Sequence, residues 1–372
     1  MKNHLSVYIH YPFCKSKCPY CDFNSHVRDG VDHARFLSAY EKELEFFAKK
    51  VGPKKVVTIF FGGGTPSLMP VFLVEGILKK IAELWEVAEN CEISLEANPT
   101  SSEATKFKAL RDIGINRLSL GIQALNDEDL KVLGREHSAK EAMQTIEIAA
   151  KVFENFSFDL IYARPKQTLD QWSEELRRAI DFGTKHLSLY QLTIEKGTKF
   201  FTEFQQKKFQ MPEENLSAEF YEMTNSVTSD AGLALYEISN YSRKNFECRH
   251  NLVYWKGGDY LGIGAGAHSR IYFLGEEERS AITMLHEPLA WLKKVEELGA
   301  GIQKLEKISA EELREELILM GLRLREGISG EFFDSKKLQN LVNQGLIDVT
   351  KGRVKILDEA RLLTNSIIQK LI

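Results

Sequence analysis

Apolar residues along the first half of the chain follow two alternating rhythms. Short runs rich in β-branched and aromatic side chains, at residues 5–10, 56–61, 92–97, 117–121, 156–162 and 186–192, read as strands. Between them, residues 35–50, 71–87, 102–113, 139–153 and 169–182 place apolar side chains at helical spacing, with Asn98-Pro99 and Gly114 marking joins. Strand–helix alternation over six units implies parallel strands linked by right-handed crossovers, and six units are too few for the usual eight-fold barrel. The expected fold is therefore α/β, a partial (β/α)6 barrel. In such sheets ligands gather at the carboxyl ends of the strands, here His10, Phe61, Ala97, Gly121, Tyr162 and Leu192.

The rhythm changes after about residue 200. An amphipathic helix at 213–231 leads into an aromatic and glycine-rich stretch, 236–272. Charged helices at 288–299 and 309–325 follow, and then two short alternating runs at 345–350 and 352–356 that read as a β-hairpin. The expected organisation is a barrel at 1–235, an aromatic and glycine-rich region at 236–300, and a smaller C-terminal α+β, winged-helix-like module at 301–372.

Composition adds exclusions. Basic pairs are scattered and the net charge is −4, so no nucleic-acid footprint is visible. The opening segment, MKNHLSVYIHYPFC, lacks the apolar core and cleavage site of an export signal, and no apolar run approaches the roughly 18–20 residues of a membrane helix. A cytoplasmic location without a transmembrane segment is expected.

Five cysteines, an odd number in a large chain, do not suit a disulfide framework. Cys14, Cys18 and Cys21 fall on one loop after the first strand, a spacing that can wrap a cluster. Three thiolates would leave one iron of a [4Fe–4S] cluster without a protein ligand, free to take a small chelator. Zinc is the alternative, with His10 or His26 as fourth ligand. Cys91 reads as a small buried hydrophobe, and Cys248 as structural.

Polar and glycine residues recur at the later strand ends. Gly63, Gly64 and Thr65 lie in Phe61-Gly62-Gly63-Gly64-Thr65-Pro66, where missing side chains permit close backbone approach to a ligand or simply a tight turn. Glu96, Gln123 and Arg135 follow the third and fourth strands, and Asp159 sits in the fifth. The Cys-x3-Cys-x2-Cys signature with Tyr20 before its last cysteine resembles the radical S-adenosylmethionine (SAM) superfamily, and these strand-end residues resemble its HemN/HemW branch. That resemblance implies a [4Fe–4S] cluster on Cys14, Cys18 and Cys21, whose open iron chelates SAM for reductive cleavage to a 5′-deoxyadenosyl radical. It further implies SAM contacts from Tyr8, Gly63, Gly64, Thr65, Glu96, Gln123, Arg135 and Asp159. One departure stands out: the branch's Asp-Leu-Ile-Tyr-Gly-Leu-Pro-Gly-Gln-Thr reads Asp159-Leu-Ile-Tyr-Ala163-Arg164-Pro165-Lys166-Gln167-Thr168 here, which puts the turn geometry in doubt.

Two features divide the branch. Phe23 occupies the position at which its coproporphyrinogen dehydrogenases resemble one another in carrying a fourth cysteine, and His250-Asn251-Leu-Val-Tyr254-Trp255 matches the H-N-x-x-Y-W motif of its haem chaperones. An imidazole can ligate haem iron, and the two aromatic rings offer flat apolar area; the plainer reading is a satisfied histidine in an aromatic core. The resemblance implies haem bound at His250, Tyr254 and Trp255 and transferred to acceptor haemoproteins. The alternative is an oxygen-independent coproporphyrinogen III oxidase of porphyrin biosynthesis. The run Gly262-Ile-Gly-Ala-Gly266-Ala-His268 lacks the context of a dinucleotide fingerprint and reads as tight backbone packing. A homodimer is left open.

Overall fold

The computed structural model describes residues 3–372; Met1 and Lys2, which open the segment read for an export signal, lie outside the described residues. Six parallel strands follow in sequence order: β1 (His4–Tyr11), β2 (Lys55–Gly63), β3 (Glu86–Ala97), β4 (Arg117–Gln123), β5 (Asn155–Tyr162) and β6 (His186–Gln191). Each is buried on both faces over most of its length, as expected of a parallel sheet covered outside by helices and filled inside by side chains. The covering helices include α1 (His33–Val51), α2 (Val71–Leu84), α3 (Ala139–Val152) and α4 (Leu169–Asp181). On α1 the stripe Phe36, Tyr40, Leu44, Phe47 and Val51 faces the core. Capping boxes, Ser138 with Glu141 and Thr168 with Gln171, start α3 and α4 directly behind two strand-end loops. The fold is thus α/β, the partial barrel expected.

Several bounds differ from the reading of the pattern, the third strand among them, which begins at Glu86 and not at 92. The second helix stops at Leu84, three residues early, because Trp85 turns extended and its indole donates to the Gly52 carbonyl at 3.1 Å. The helix expected at 102–113 is split into Ser101–Ala104 and Phe107–Asp112, with Glu103 turned inward.

The second half also builds sheet. Strands β7 (Ala234–Leu235) and β8 (Asn240–Ser242) follow helix α5 (Glu214–Asp230), and β8 pairs antiparallel with β6. Helix α6 (Arg249–Trp255) precedes β9 (Tyr260–Ile263), which pairs parallel with β1 on the other side. From β9 an antiparallel run continues through β10 (His268–Tyr272), β11 (Arg279–Met284) and β12 (Ile302–Ile308), completing a twelve-stranded sheet. Buried Glu43 on α1 pins this extension, accepting from the backbone of Gly264 (2.9 Å) and Gly301 (2.7 Å) and from the Trp291 indole (3.0 Å). A separate small core, including Leu322, Val354, Ile356 and Ile367, holds the C-terminal three-stranded sheet and its helices.

Candidate functional site

Cys14 ends the short strand Phe13–Cys14, which pairs with His26–Val27 and so closes the base of the cysteine loop. The three thiols are unbridged, partly exposed, and line one cavity. Two glycines let the loop sit against the barrel. A Cβ on Gly64 would stand 2.6 Å from the Phe13 carbonyl oxygen, and one on Gly134 would stand 2.5 Å from Pro19 Cδ. Both distances are shorter than atoms tolerate, so a side chain at either position would push the loop away.

A chain of hydrogen bonds then rims the cavity. Thr65 Oγ1 donates to Cys14 Sγ (3.4 Å), Asn98 Nδ2 to Thr65 Oγ1 (3.1 Å), Arg135 Nη2 to Asn98 Oδ1 (2.6 Å) and Arg135 Nη1 to Cys18 Sγ (3.2 Å). Asn98 is a site residue that the sequence reading missed, having treated it as part of a join. The available signal was its place two residues beyond Glu96 on the same strand end. Buried Glu103 holds it by accepting its backbone N–H at 2.9 Å.

The donor chemistry of the loop fits an iron–sulfur cluster. Burial pushes the Cys14 and Cys21 thiols up, so they would lose their protons to solvent only on binding a cationic metal centre. His10 and His26, the candidates for a fourth zinc ligand, are engaged elsewhere. His10 bonds the Tyr8 hydroxyl at 3.0 Å and the Asn24 carbonyl at 2.9 Å, and His26 bonds Asn24 Oδ1 at 3.0 Å. Among the described residues no three His, Cys, Asp or Glu side chains converge as they would on a single ion.

Across the same cavity stand Gly63, Glu96, Gln123 and Asp159. Glu96 accepts the Gly63 N–H at 3.3 Å. Burial, with the Asp159 charge adding, pushes its carboxyl up to about 8; Asp159 is itself pushed up to about 6 by burial, against the pull of Ser188 and Arg117. Two carboxyls held this way favour a cation between them. Arg135 supplies the opposite charge, and its Nε is buried without a partner among the described residues. Gln123 takes φ 74°, a left-handed conformation uncommon outside glycine, at the end of β4. One wall thus suits a cation and the other a carboxylate.

The altered turn keeps a glycine-type backbone. Ala163 and Lys166, which stand where the related turn has glycines, take φ 54° and 65°. Arg164 points away into the protein, ion-paired with Glu175 and with Asp129 at 2.9 Å. The cysteine cavity is not lined by residues 163–166.

The remaining expected residues lie deeper. Tyr8 faces the barrel interior, its hydroxyl on His10, and lines a neighbouring cavity, not the one holding the thiols. His250, on α6, reaches into the barrel and stacks on Phe60 with ring centroids 5.1 Å apart. Its Nδ1 pairs with Thr58 Oγ1 (2.8 Å), whose own hydroxyl donates to Ser6, and its Nε2 pairs with the Tyr254 hydroxyl (2.7 Å). Burial pulls its pKa down to about 3, so the ring is neutral. Both nitrogens of His250 are hydrogen-bonded in this arrangement, so an axial bond from it to haem iron would require Thr58 or Tyr254 to give way. Tyr254 and Trp255 instead help to wall a cavity of about 660 Å³ that shares Phe23, Gly63 and Glu96 with the cysteine cavity.

A sequence profile of the radical SAM superfamily matches residues 8–179. The chain is 37% identical over 359 residues to the Bos taurus "Radical S-adenosyl methionine domain-containing protein 1, mitochondrial", spanning 92% of this chain and 81% of that protein. It is 32% identical over 375 residues to the "Heme chaperone HemW" of Bacillus subtilis, spanning 97% of each. Among solved structures, the coproporphyrinogen III oxidase HemN of Escherichia coli superposes with a TM-score of 0.82 at 22% identity, over 98% of this chain and 89% of that one. Fold, cysteine loop and full-length relatives agree: this chain belongs to the radical SAM superfamily, in its HemN/HemW branch.

Proposed function

We propose that the chain is a haem chaperone on a radical SAM core, binding haem and passing it to acceptor haemoproteins. Cys14, Cys18 and Cys21 would hold the [4Fe–4S] cluster. Glu96 and Asp159 would face the cationic parts of SAM, Arg135 its carboxylate, and Gly63, Gly64, Thr65 and Gln123 the backbone-lined edge. When bound, cluster and SAM together supply one-electron chemistry; the chain's own part is to orient the ligand and match its charges.

The observation that carries the reading is the pair of adjoining cavities. The aromatic one, about 660 Å³ in volume, falls within the roughly 300–1,000 Å³ of small-molecule sites and shares three wall residues with the cysteine cavity. It suits a flat apolar ligand beside the cluster. Phe23, 63% exposed, stands at their junction, where a dehydrogenase of the branch would carry cysteine. Relatives named "Heme chaperone HemW" support the same reading.

The test is anaerobic reconstitution of iron and sulfide, followed in parallel by haem titration and a coproporphyrinogen III turnover assay. We expect haem binding without turnover. Conversion of coproporphyrinogen to protoporphyrinogen would refute the chaperone reading in favour of the oxidase.

A further inference from the structure

We propose that His268, and not His250, is the residue that presents a nitrogen to haem iron; this rests on the haem reading above and assigns its ligand. The glycine run before His268, with no role in the SAM cavity, is what places it. Gly266 takes φ 79°, and a Cβ there would stand 2.2 Å from Asn24 Nδ2. Asn24 donates from that nitrogen to the carbonyls of Ala265 and His286, both at 3.0 Å, and its own carbonyl bonds His10. The turn is therefore clamped to the base of the cysteine loop. His268 emerges from it as the first residue of β10, fixed by a five-residue register with β11.

The ring is presented as an iron ligand must be. It is exposed and lines the 660 Å³ cavity with Tyr254, Trp255, Tyr260 and Met320. Its Nδ1 lies 3.3 Å from Thr283 Oγ1, which orients the imidazole, while Nε2 makes no hydrogen bond among the described residues. His286 is a neighbour at 6.4 Å between ring centroids, carried on the loop after β11. His250 then acts as a positioning residue, holding the Tyr254 hydroxyl and so the cavity wall.

The experiment is haem titration of the full-length, anaerobically reconstituted protein, read by the Soret band and by EPR of the ferric form. Wild type, His268→Ala, His286→Ala and His250→Ala are compared, with iron–sulfur content measured for each. We expect wild type to give a histidine-ligated spectrum. His268→Ala should lose it and bind haem about tenfold or more weakly, with cluster content unchanged and the band restored by added imidazole. His286→Ala and His250→Ala should keep the histidine signature. A His268→Ala protein with the wild-type spectrum overturns the assignment alone, as does loss of the signature confined to His250→Ala or His286→Ala. A wild type that binds no haem overturns the chaperone reading and this inference with it.

Discussion

Replacing Arg164 with leucine, the residue that the related turn carries, should destabilise the protein unless its acidic partner is neutralised too. Arg164 is 1% exposed, and its guanidinium pairs with buried Glu175 and with partly exposed Asp129. In Arg164→Leu, Asp129 can turn to water, but Glu175 stays buried and, among the described residues, keeps only the Leu125 amide, which donates to it at 2.6 Å. Breaking one half of a buried pair costs about 3–5 kcal/mol, whereas replacing both halves is often close to neutral. The pair's own geometry is imperfect, since Arg164 Nε is buried without a partner among the described residues. Glu175→Gln added to Arg164→Leu keeps an acceptor for Leu125 and removes the charge, so the double variant should return to within about 1 kcal/mol of wild type, a recovery of about 2–4 kcal/mol over Arg164→Leu alone. Urea unfolding followed by tryptophan fluorescence measures it, because Trp172 is buried on the same helix as Glu175. Iron content should not change in either variant. An Arg164→Leu protein within 1 kcal/mol of wild type, or a double variant as unstable as the single one, would refute the reasoning.

Other expectations follow from the site. Cys18→Ala should give no [4Fe–4S] absorbance after reconstitution, while Cys91→Ala, altering a thiol buried in the main core, should leave iron content at the wild-type level. Asn98→Ala removes one of the acceptors that hold Arg135, the Gly121 carbonyl being another, and should weaken SAM by about 10- to 100-fold with the cluster retained, a charged hydrogen bond being worth roughly 1.5–3 kcal/mol; equilibrium dialysis reads the SAM affinity, and iron and sulfide content reads the cluster. Glu96→Gln should stabilise the ligand-free protein in a pH-dependent way. The folded carboxyl titrates at about 8 against 4.5 for the ordinary group, so its ionisation opposes folding increasingly as pH rises from about 5 to 8. The gain from the substitution should accordingly be small at pH 5, reach a few kcal/mol at most, and level off above pH 8; equal gains at pH 5 and 8.5 in urea unfolding would contradict it.

The six barrel strands were legible because parallel strands buried on both faces over much of their length leave an apolar run, though only the second half of β3 shows it, and the cysteine loop because thiol spacing is itself the chemistry. Residues on strand ends converged for a topological reason: consecutive parallel strands bring their carboxyl ends to one rim. What the pattern concealed were relations across long sequence separations. Strands β8 to β10 are short, and nothing local says that β9 pairs with β1, some 250 residues away. Asn98 gives no signal beyond turn chemistry until Thr65 and Arg135 are seen on either side of it. Ala163 and Lys166 mislead in the other direction, since the loss of glycine suggests a changed turn while the backbone keeps the left-handed angles.

Unmet polar groups separate the parts of this molecule that await a ligand from those that only hold it together. In the cysteine cavity, Glu96 and Asp159 carry raised pKa values, and Arg135 keeps an unbonded Nε. Each of these is unfavourable in the ligand-free protein and would be relieved by a molecule bearing both a cation and a carboxylate. Deeper in the barrel, Arg117 Nε, His186 Nδ1 and Asn240 Oδ1 also lack partners, but their residues line a polar cavity of about 330 Å³ that is roomy enough for bridging water. By the same criterion His250 belongs to the framework, for Thr58 and Tyr254 use both of its nitrogens. His268 does not, because among the described residues its second nitrogen makes no hydrogen bond, at the edge of an aromatic cavity. On this reading the His250 motif would supply the wall, and His268, read from the sequence as packing, the iron ligand.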